Sequence, residues 1–179
     1  MRIGRTTPSG GRSVAKSYAS DINAIISSIE AGGADHILLL NVPDIGKTPS
    51  ALALGPNAAA AGSAIASGFN AALLAGLATL PGATRADISL LDLFTLQDEV
   101  FSAPLTRGFT DVTSACAFSV TCIARPAGVF YWDGIHPTTS GHTVIADAAL
   151  GLIPLPGTAL LLGLGLLVLA GFRRKQAVI

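Results

Sequence analysis

The 179-residue chain carries 11 basic and 11 acidic side chains, and a formal net charge of zero gives no electrostatic basis for binding nucleic acid, which needs a clustered basic surface. Charged residues make up 12 % and hydrophobic residues 50 %, on the apolar side of ordinary globular usage, with alanine and the C-terminal tail supplying much of the excess. A chain of this length is expected to form one domain.

Met1–Ser20 contains basic residues but no apolar stretch, so it does not fit the pattern of a secretory signal peptide. Ser13–Ala31 reads as an amphipathic helix. Ile22, Ile25, Ile26 and Ile29 recur at helical spacing, and Gly32-Gly33 supplies a glycine C-terminus. His36–Val42, H-I-L-L-L-N-V, is a short continuous apolar run, the pattern of a strand buried on both faces of a parallel sheet. Pro43–Pro49 is a loop.

No charged residue occurs from Thr48 to Thr84. Within that stretch Ala58–Leu80 is read as a helix of the folded domain, with Ile65, Phe69, Leu73, Leu77 and Leu80 as its apolar stripe and Asn57, Ser63, Ser67 and Asn70 elsewhere. A second membrane span is the alternative. Pro81-Gly82 breaks the helix. Asp87–Phe94 is a second strand, Thr95–Ser102 a short helix, and Pro104–Gly128 an irregular segment. Val129–Trp132 leads into a loop, and Thr139–Leu150 is a closing helix capped by Thr138 or Thr139. Alternation of helix and strand points to βαβ units with right-handed crossovers, hence an α/β fold.

Cys116 and Cys122 lie in C-A-F-S-V-T-C, a spacing unlike a C-x-x-C redox or zinc motif. A disulfide closing this loop fits an oxidising compartment, with two free thiols as the alternative.

Gly151–Phe172 carries no charge and is long enough to cross a bilayer as a helix of about 20 residues. Arg173, Arg174 and Lys175 follow at once and would stay cytoplasmic, placing the preceding residues outside the cytoplasm. Proline motif, apolar helix and basic cluster, in that order, resemble the PEP-CTERM type of bacterial sorting tail. Ile153-Pro154-Leu155-Pro156-Gly157 looks like its V-P-L-P-A variant. The resemblance implies recognition and cleavage by an exosortase-type membrane protease. It also implies passage through the inner membrane to the periplasm or cell surface of a Gram-negative bacterium. A plain C-terminal anchor is the simpler alternative.

The chemical signal is Tyr131 to Thr138, Y-W-D-G-I-H-P-T. Asp133 can accept a hydrogen bond from one imidazole nitrogen of His136, fixing the tautomer and leaving the other nitrogen free as a general base. Tyr131 and Trp132 are expected to shield the pair from water. On spacing alone the alternative is a surface turn that caps a helix. His142 reads as a packing or helix-surface residue and His36 as structural. Asp133, His136 and His142 gather no further ligands for a metal, and no cofactor is implied.

This segment is similar to the last block of the GDSL/SGNH ester hydrolases, F-W-D-x-x-H-P-T followed by a helix with a histidine and I-A, here His142 and Ile145-Ala146. Upstream, Asn41–Pro49 looks like the family's N-x-P-x-x-G-x-x-P stretch. Phe69-Asn70 with Leu73 looks like its F-N-x-x-L helix, Asp92-Leu93-Phe94 like its D-x-F strand, and Gly108–Asp111 like its G-F-T-N stretch. The resemblance implies that residues 1–150 are the C-terminal part of a hydrolase domain and 151–179 the sorting tail with one transmembrane helix. The fold it implies is a partial three-layer α/β/α arrangement with parallel strands, acting on carboxylic esters or lipids, with His136 as general base and Asp133 as its orienting partner.

The family's nucleophile sits in an N-terminal G-D-S block, and an asparagine of a G-x-N-D block helps form its oxyanion hole. Neither block occurs in the 179 residues, nor does a G-x-S-x-G elbow. Ser9 follows Pro8 with no strand before it and does not fit the nucleophile. One expectation covers the absent serine block and the absent signal peptide: Met1 is a late start within a longer gene, and these residues alone are inactive. A non-catalytic exported surface or matrix protein, retaining remnants of a hydrolase fold, is the competing reading.

Overall fold

The computed structural model describes residues 9–80, 87–153 and 162–166. Helix α1 spans Ser9–Ala31, strand β1 His36–Leu40, helix α2 Pro49–Ala53, helix α3 Pro56–Leu77 and strand β2 Asp87–Leu91. Helix α4 spans Leu93–Ser102, strand β3 Asp111–Ala115, helix α5 Val120–Ala124, strand β4 Val129–Tyr131 and helix α6 Thr139–Leu150. The break at Pro81-Gly82, most of the apolar tail and its basic cluster lie outside the described residues.

Helix α1 ends as its glycines dictate. Gly33 adopts φ +96°, Ala34 N–H donates to the Ile29 carbonyl at 3.3 Å, and Gly33 N–H donates to Glu30 at 2.9 Å. This is the paired bonding of a Schellman turn, which a side chain at Gly33 would strain. The buried face of α1 is Ala15, Ala19, Ile22 and Ile26, while Ile25 and Ile29 face outward. The isoleucine stripe read from the sequence is therefore half right. The small residues Ala15 and Ala19 carry the contact because α3 approaches closely there.

Strands β1 and β2 pair in parallel from His36↔Asp87 to Leu40↔Leu91, as a βαβ unit requires. Two further backbone bonds extend the ladder, Asp87 N–H to Asp35 and Asn41 N–H to Leu91. Ile37 is buried with Ile26, among Ile22, Leu77 and Ile88, whereas Leu38 and Leu40 on the opposite face are exposed. Among the described residues the strand is thus covered on one face, not both. The structure is a mixed α/β fold with short parallel strands.

Helix α3 is long and apolar enough to cross a membrane. It also packs along α1 and against the turn Ile45–Lys47. Its buried residues are Ala66, Asn70 and Leu73, while Ile65 is exposed. The stripe is rotated from the expected one because Asn70, read as part of the polar side, faces inward. Its side-chain nitrogen donates to the Val42 carbonyl at 2.8 Å, and its oxygen accepts from Val42 N–H at 2.9 Å.

Segment 104–128 is more regular than its composition suggested. β3 pairs in parallel with β4, giving a second two-stranded sheet. Its core is Leu96, Val100, Phe109, Phe130, Tyr131 and Val144. The Phe109 and Phe130 rings meet edge-to-face at 5.2 Å and Phe130 and Tyr131 at 4.9 Å, a favoured aromatic geometry. A Cys116–Cys122 disulfide closes the adjoining loop, with the Cα atoms 5.2 Å apart.

Where α3 crosses the turn Ile45–Lys47, the contact is backbone against backbone. A Cβ on Gly46 would overlap the Ala59 carbonyl and the Ser63 amide, whereas one on Gly68 would meet nothing. Gly46→Ala is therefore expected to destabilise the fold by about 3 kcal/mol. Gly68→Ala is expected to stabilise it by about 0.5–1 kcal/mol through helix propensity. Chemical denaturation of both variants checks the contrast, and equal stabilities would contradict the packing.

Candidate active site

Asp133 and His136 sit on the turn between β4 and α6. The turn is tied down from three directions by backbone bonds. Trp132 N–H donates to the His136 carbonyl at 2.7 Å, closing the turn on itself. Ala117 N–H, from the disulfide loop, donates to the Trp132 carbonyl at 2.7 Å, and Ser50 N–H, at the start of α2, donates to Gly134 at 3.0 Å. Behind the turn, Thr138 N–H donates to Phe130 and the Thr138 hydroxyl to Val129, while the same hydroxyl accepts from Gly141 N–H as the N-cap of α6.

Asp133 divides its oxygens between two tasks. Oδ1 accepts from Ile135 N–H at 2.8 Å and His136 N–H at 2.7 Å. Oδ2 lies 2.8 Å from His136 Nδ1. The backbone N–H of His136, then that of Ile135, then the imidazole hold the Asp133 carboxyl down at about 2. With Nδ1 occupied, Nε2 of His136 has no partner among the described residues. The structure thus brings together the two side chains selected from the sequence.

Their surroundings differ from expectation. The His136 side chain is 68 % exposed and that of Asp133 35 %. Trp132 is also exposed, and Tyr131 turns the other way, into the core with Phe101 and Phe130. Side chains alternate in direction along the end of a strand, so Tyr131 and Trp132 cannot both cover the pair. His142 lies on the surface of α6, its Nδ1 3.0 Å from the Thr138 carbonyl, and His36 is exposed at the start of β1. Among the described residues no group of three or more His, Cys, Asp or Glu side chains is gathered as a metal site.

Sequence reasoning overlooked Gln97. It is 5 % exposed, and its Nε2 donates to the Tyr131 hydroxyl while its Oε1 has no partner among the described residues. A signal existed: Leu93, Leu96, Val100 and Phe101 form a helical stripe, and Gln97 is the polar member inside it. Burial pushes the Tyr131 phenol far above its usual range, so it stays neutral and keeps its O–H.

A protein-family model described as GDSL-like lipase/acylhydrolase matches residues 8–149, most of the chain, and the chain belongs to that family. An uncharacterized protein in the trpE-trpG intergenic region of Pseudomonas putida is 26 % identical over 147 residues. The match covers 74 % of this chain and 24 % of the relative, so the chain spans about a quarter of that protein's length.

A carboxyl held down in the fold stabilises it above the unfolded value near 3.9, and that contribution is lost as pH falls through about 2. Carboxyl-carbon NMR is expected to show Asp133 titrating near 2. Because the backbone donors act ahead of the ring, His136→Ala should leave Asp133 still depressed, though less so. An Asp133 that titrates at the ordinary value in that variant would show the ring alone to be responsible.

Proposed function

We propose that Asp133 and His136 are the orienting carboxylate and the general base of a serine hydrolase acting on carboxylic esters. The observation that carries this reading is the 2.8 Å contact between Asp133 Oδ2 and His136 Nδ1, which leaves Nε2 open to solvent. A Nδ1–H donated to Asp133 puts the lone pair on Nε2. There it takes the proton of a serine hydroxyl as the oxygen adds to the ester carbonyl, and returns it to the departing alkoxide. Water then repeats the sequence: Nε2 takes its proton, hydroxide adds to the acyl-enzyme, and the serine oxygen leaves carrying that proton. Asp133 stays ionised throughout, which its depressed titration favours.

No G-D-S block occurs in the 179 residues. The proposed nucleophile, and most of the oxyanion hole, therefore come from a segment outside them, within the partial three-layer arrangement of SGNH hydrolases. That the match covers only 24 % of the relative's length supports this reading.

The reading extends to location. The charge-free run Gly151–Phe172 followed by Arg173-Arg174-Lys175 supports a PEP-CTERM-type tail: one membrane helix, C-terminus in the cytoplasm, cut by an exosortase-type protease near Pro154–Gly157. The Cys116–Cys122 bond suits an exported domain. A C-terminal alkaline phosphatase fusion is expected to be inactive; an active one would reverse the orientation.

Catalysis is tested with the protein expressed together with the coding sequence upstream of Met1. It is expected to label with a fluorophosphonate and to hydrolyse p-nitrophenyl butyrate. His136→Ala should lower kcat by about 10⁴-fold or more, and Asp133→Asn by about 10⁴-fold. The 179 residues alone should do neither. A labelled serine within them, with Ser9 the first to inspect, would overturn the placing of the nucleophile. Full activity in His136→Ala would favour a non-catalytic fold remnant at this turn.

A further inference from the structure

Beside the Asp133–His136 turn lies a cavity of about 100 Å³ between α4, β4 and α6. Leu96, Val100 and Val144 form its walls, and among the described residues no charged side chain lines it. Ile135, 55 % exposed, and Pro137 also line it, so it opens at the two residues that flank His136. A neutral ligand is therefore required, entering from the side of the proposed general base.

Two buried polar groups interrupt the apolar lining. Gln97 is 5 % and Tyr131 2 % exposed. Their mutual hydrogen bond uses the Gln97 Nε2 and the Tyr131 oxygen as acceptor. Among the described residues it leaves Gln97 Oε1 without a donor, and the Tyr131 hydroxyl, its oxygen already accepting from Gln97, still has its hydrogen to donate. Thr48 also lines the cavity, but its hydroxyl is committed to the Ile45 carbonyl and to Ala51 N–H. The lining thus presents one donor and one acceptor side by side, and each unpaired buried group is expensive.

A single functional group satisfies both at once. A hydroxyl accepts from Tyr131 and donates to Gln97 Oε1. A carbonyl answers only the first, and an alkyl chain answers neither. The volume admits about three to four non-hydrogen atoms, since a water occupies about 30 Å³ of liquid and a cavity of about 150 Å³ accepts benzene. We propose that this cavity is a specificity pocket for a short hydroxylated acyl group, with Gln97 and Tyr131 reading the hydroxyl. The proposal rests on the ester-hydrolase reading only for calling the group an acyl group; the pocket is testable by binding.

The test titrates the full chain with ethyl 3-hydroxybutyrate, ethyl butyrate and ethyl acetoacetate, read by calorimetry or by NMR shifts of the Ile135 and Val144 methyl groups. The hydroxy ester is expected to bind about tenfold or more tightly than the butyrate, the scale of one satisfied buried polar group. Tyr131→Phe and Gln97→Met should each reduce that preference to within about twofold while keeping or improving butyrate affinity. Circular dichroism confirms that both variants fold, and Tyr131→Phe removes only the hydroxyl. Equal affinity of wild type for all three esters would overturn the proposal, because water would then suffice for the polar pair. Tightest binding of the acetoacetate would overturn the hydroxyl assignment, showing Gln97 to present its NH₂. A hydroxyl preference retained in both folded variants would remove Gln97 and Tyr131 from the role. Failure of the hydrolase reading is separable: it would appear as intact hydroxyl preference in binding with no turnover by the longer, serine-carrying protein.

Discussion

The carboxamide of Asn70 bonds both backbone polar groups of Val42, and the position of the site follows from it. Val42 lies two residues beyond the end of β1, where the chain leaves the sheet, so its N–H and carbonyl are outside the strand ladder. Unpaired and partly buried, each would cost about 1–3 kcal/mol. Asn70 closes both from one position on α3. It thereby locks the helix to the strand end and sets the direction of the next residues. Asp44 then accepts from Gly46 N–H at 2.9 Å and from the Ser63 hydroxyl at 2.6 Å, pressing the turn Ile45–Lys47 onto the same helix. Thr48 caps α2, and Ser50 N–H at its start reaches the Gly134 carbonyl in the Asp133–His136 turn. A helix face roughly sixty to seventy residues earlier in the chain is in this way connected, bond by bond, to the Asp133–His136 pair.

Asparagine also joins the two apolar clusters. Asn41 Nδ2 donates to Asp92 at 2.8 Å, and Asn41 Oδ1 accepts from Leu93 N–H at 2.7 Å. The end of β1 therefore orients the first turn of α4, which carries Leu96, Gln97 and Val100 into the second core. Lys47 adds an ion pair to Asp98 and lies 5.4 Å over the Phe101 ring. Both groups of that pair are partly solvated, so its contribution is small beside the buried amide bonds. The clusters meet through polar bridges instead of a shared apolar layer. Gln97 follows on the same helix, buried in the second core and bonded to the Tyr131 hydroxyl.

The elements legible in the sequence were those whose signal is local. Helix α6 matches Thr139–Leu150 to the residue, because a threonine cap and the end of the apolar period bracket it. The glycine end of α1 was legible for the same reason, and the parallel pairing of β1 and β2 from the helix that separates them. The strand β3 was not. D-V-T-S-A has weak alternation and lies among turn formers, and its partner β4 is only three residues long. The inward rotation of α3 was hidden because Asn70 behaves as a core residue only once Val42 is opposite it. At the site, the Asp133–His136 contact was legible from spacing together with the surrounding family-like block, whereas the shielding assigned to Tyr131 and Trp132 was not borne out. Which side of a short strand faces the core depends on sheet neighbours that no local pattern reveals.

The three-residue spacing of Asp133 and His136 has its own physical account. An aspartate accepting from the backbone two and three residues ahead forms a tight local turn, and Oδ1 alone does this. The other oxygen is left pointing along the side of the turn where the side chain at the third position emerges. A histidine there meets Oδ2 through Nδ1 without any further constraint on its ring. Pro137 then disfavours helical backbone at His136, and the His136 carbonyl is free to accept from Trp132 N–H and close the turn. The same carboxylate is therefore both the cap of the turn and the partner of the imidazole. Its charge is held by fixed backbone donors instead of by burial, so the geometry of the pair does not depend on water being excluded. In the open the pair is weak, because solvent screens it. Covered, the same geometry acts in a lower dielectric with no reorganisation required, which is the condition under which a preset acid–base pair contributes most to catalysis.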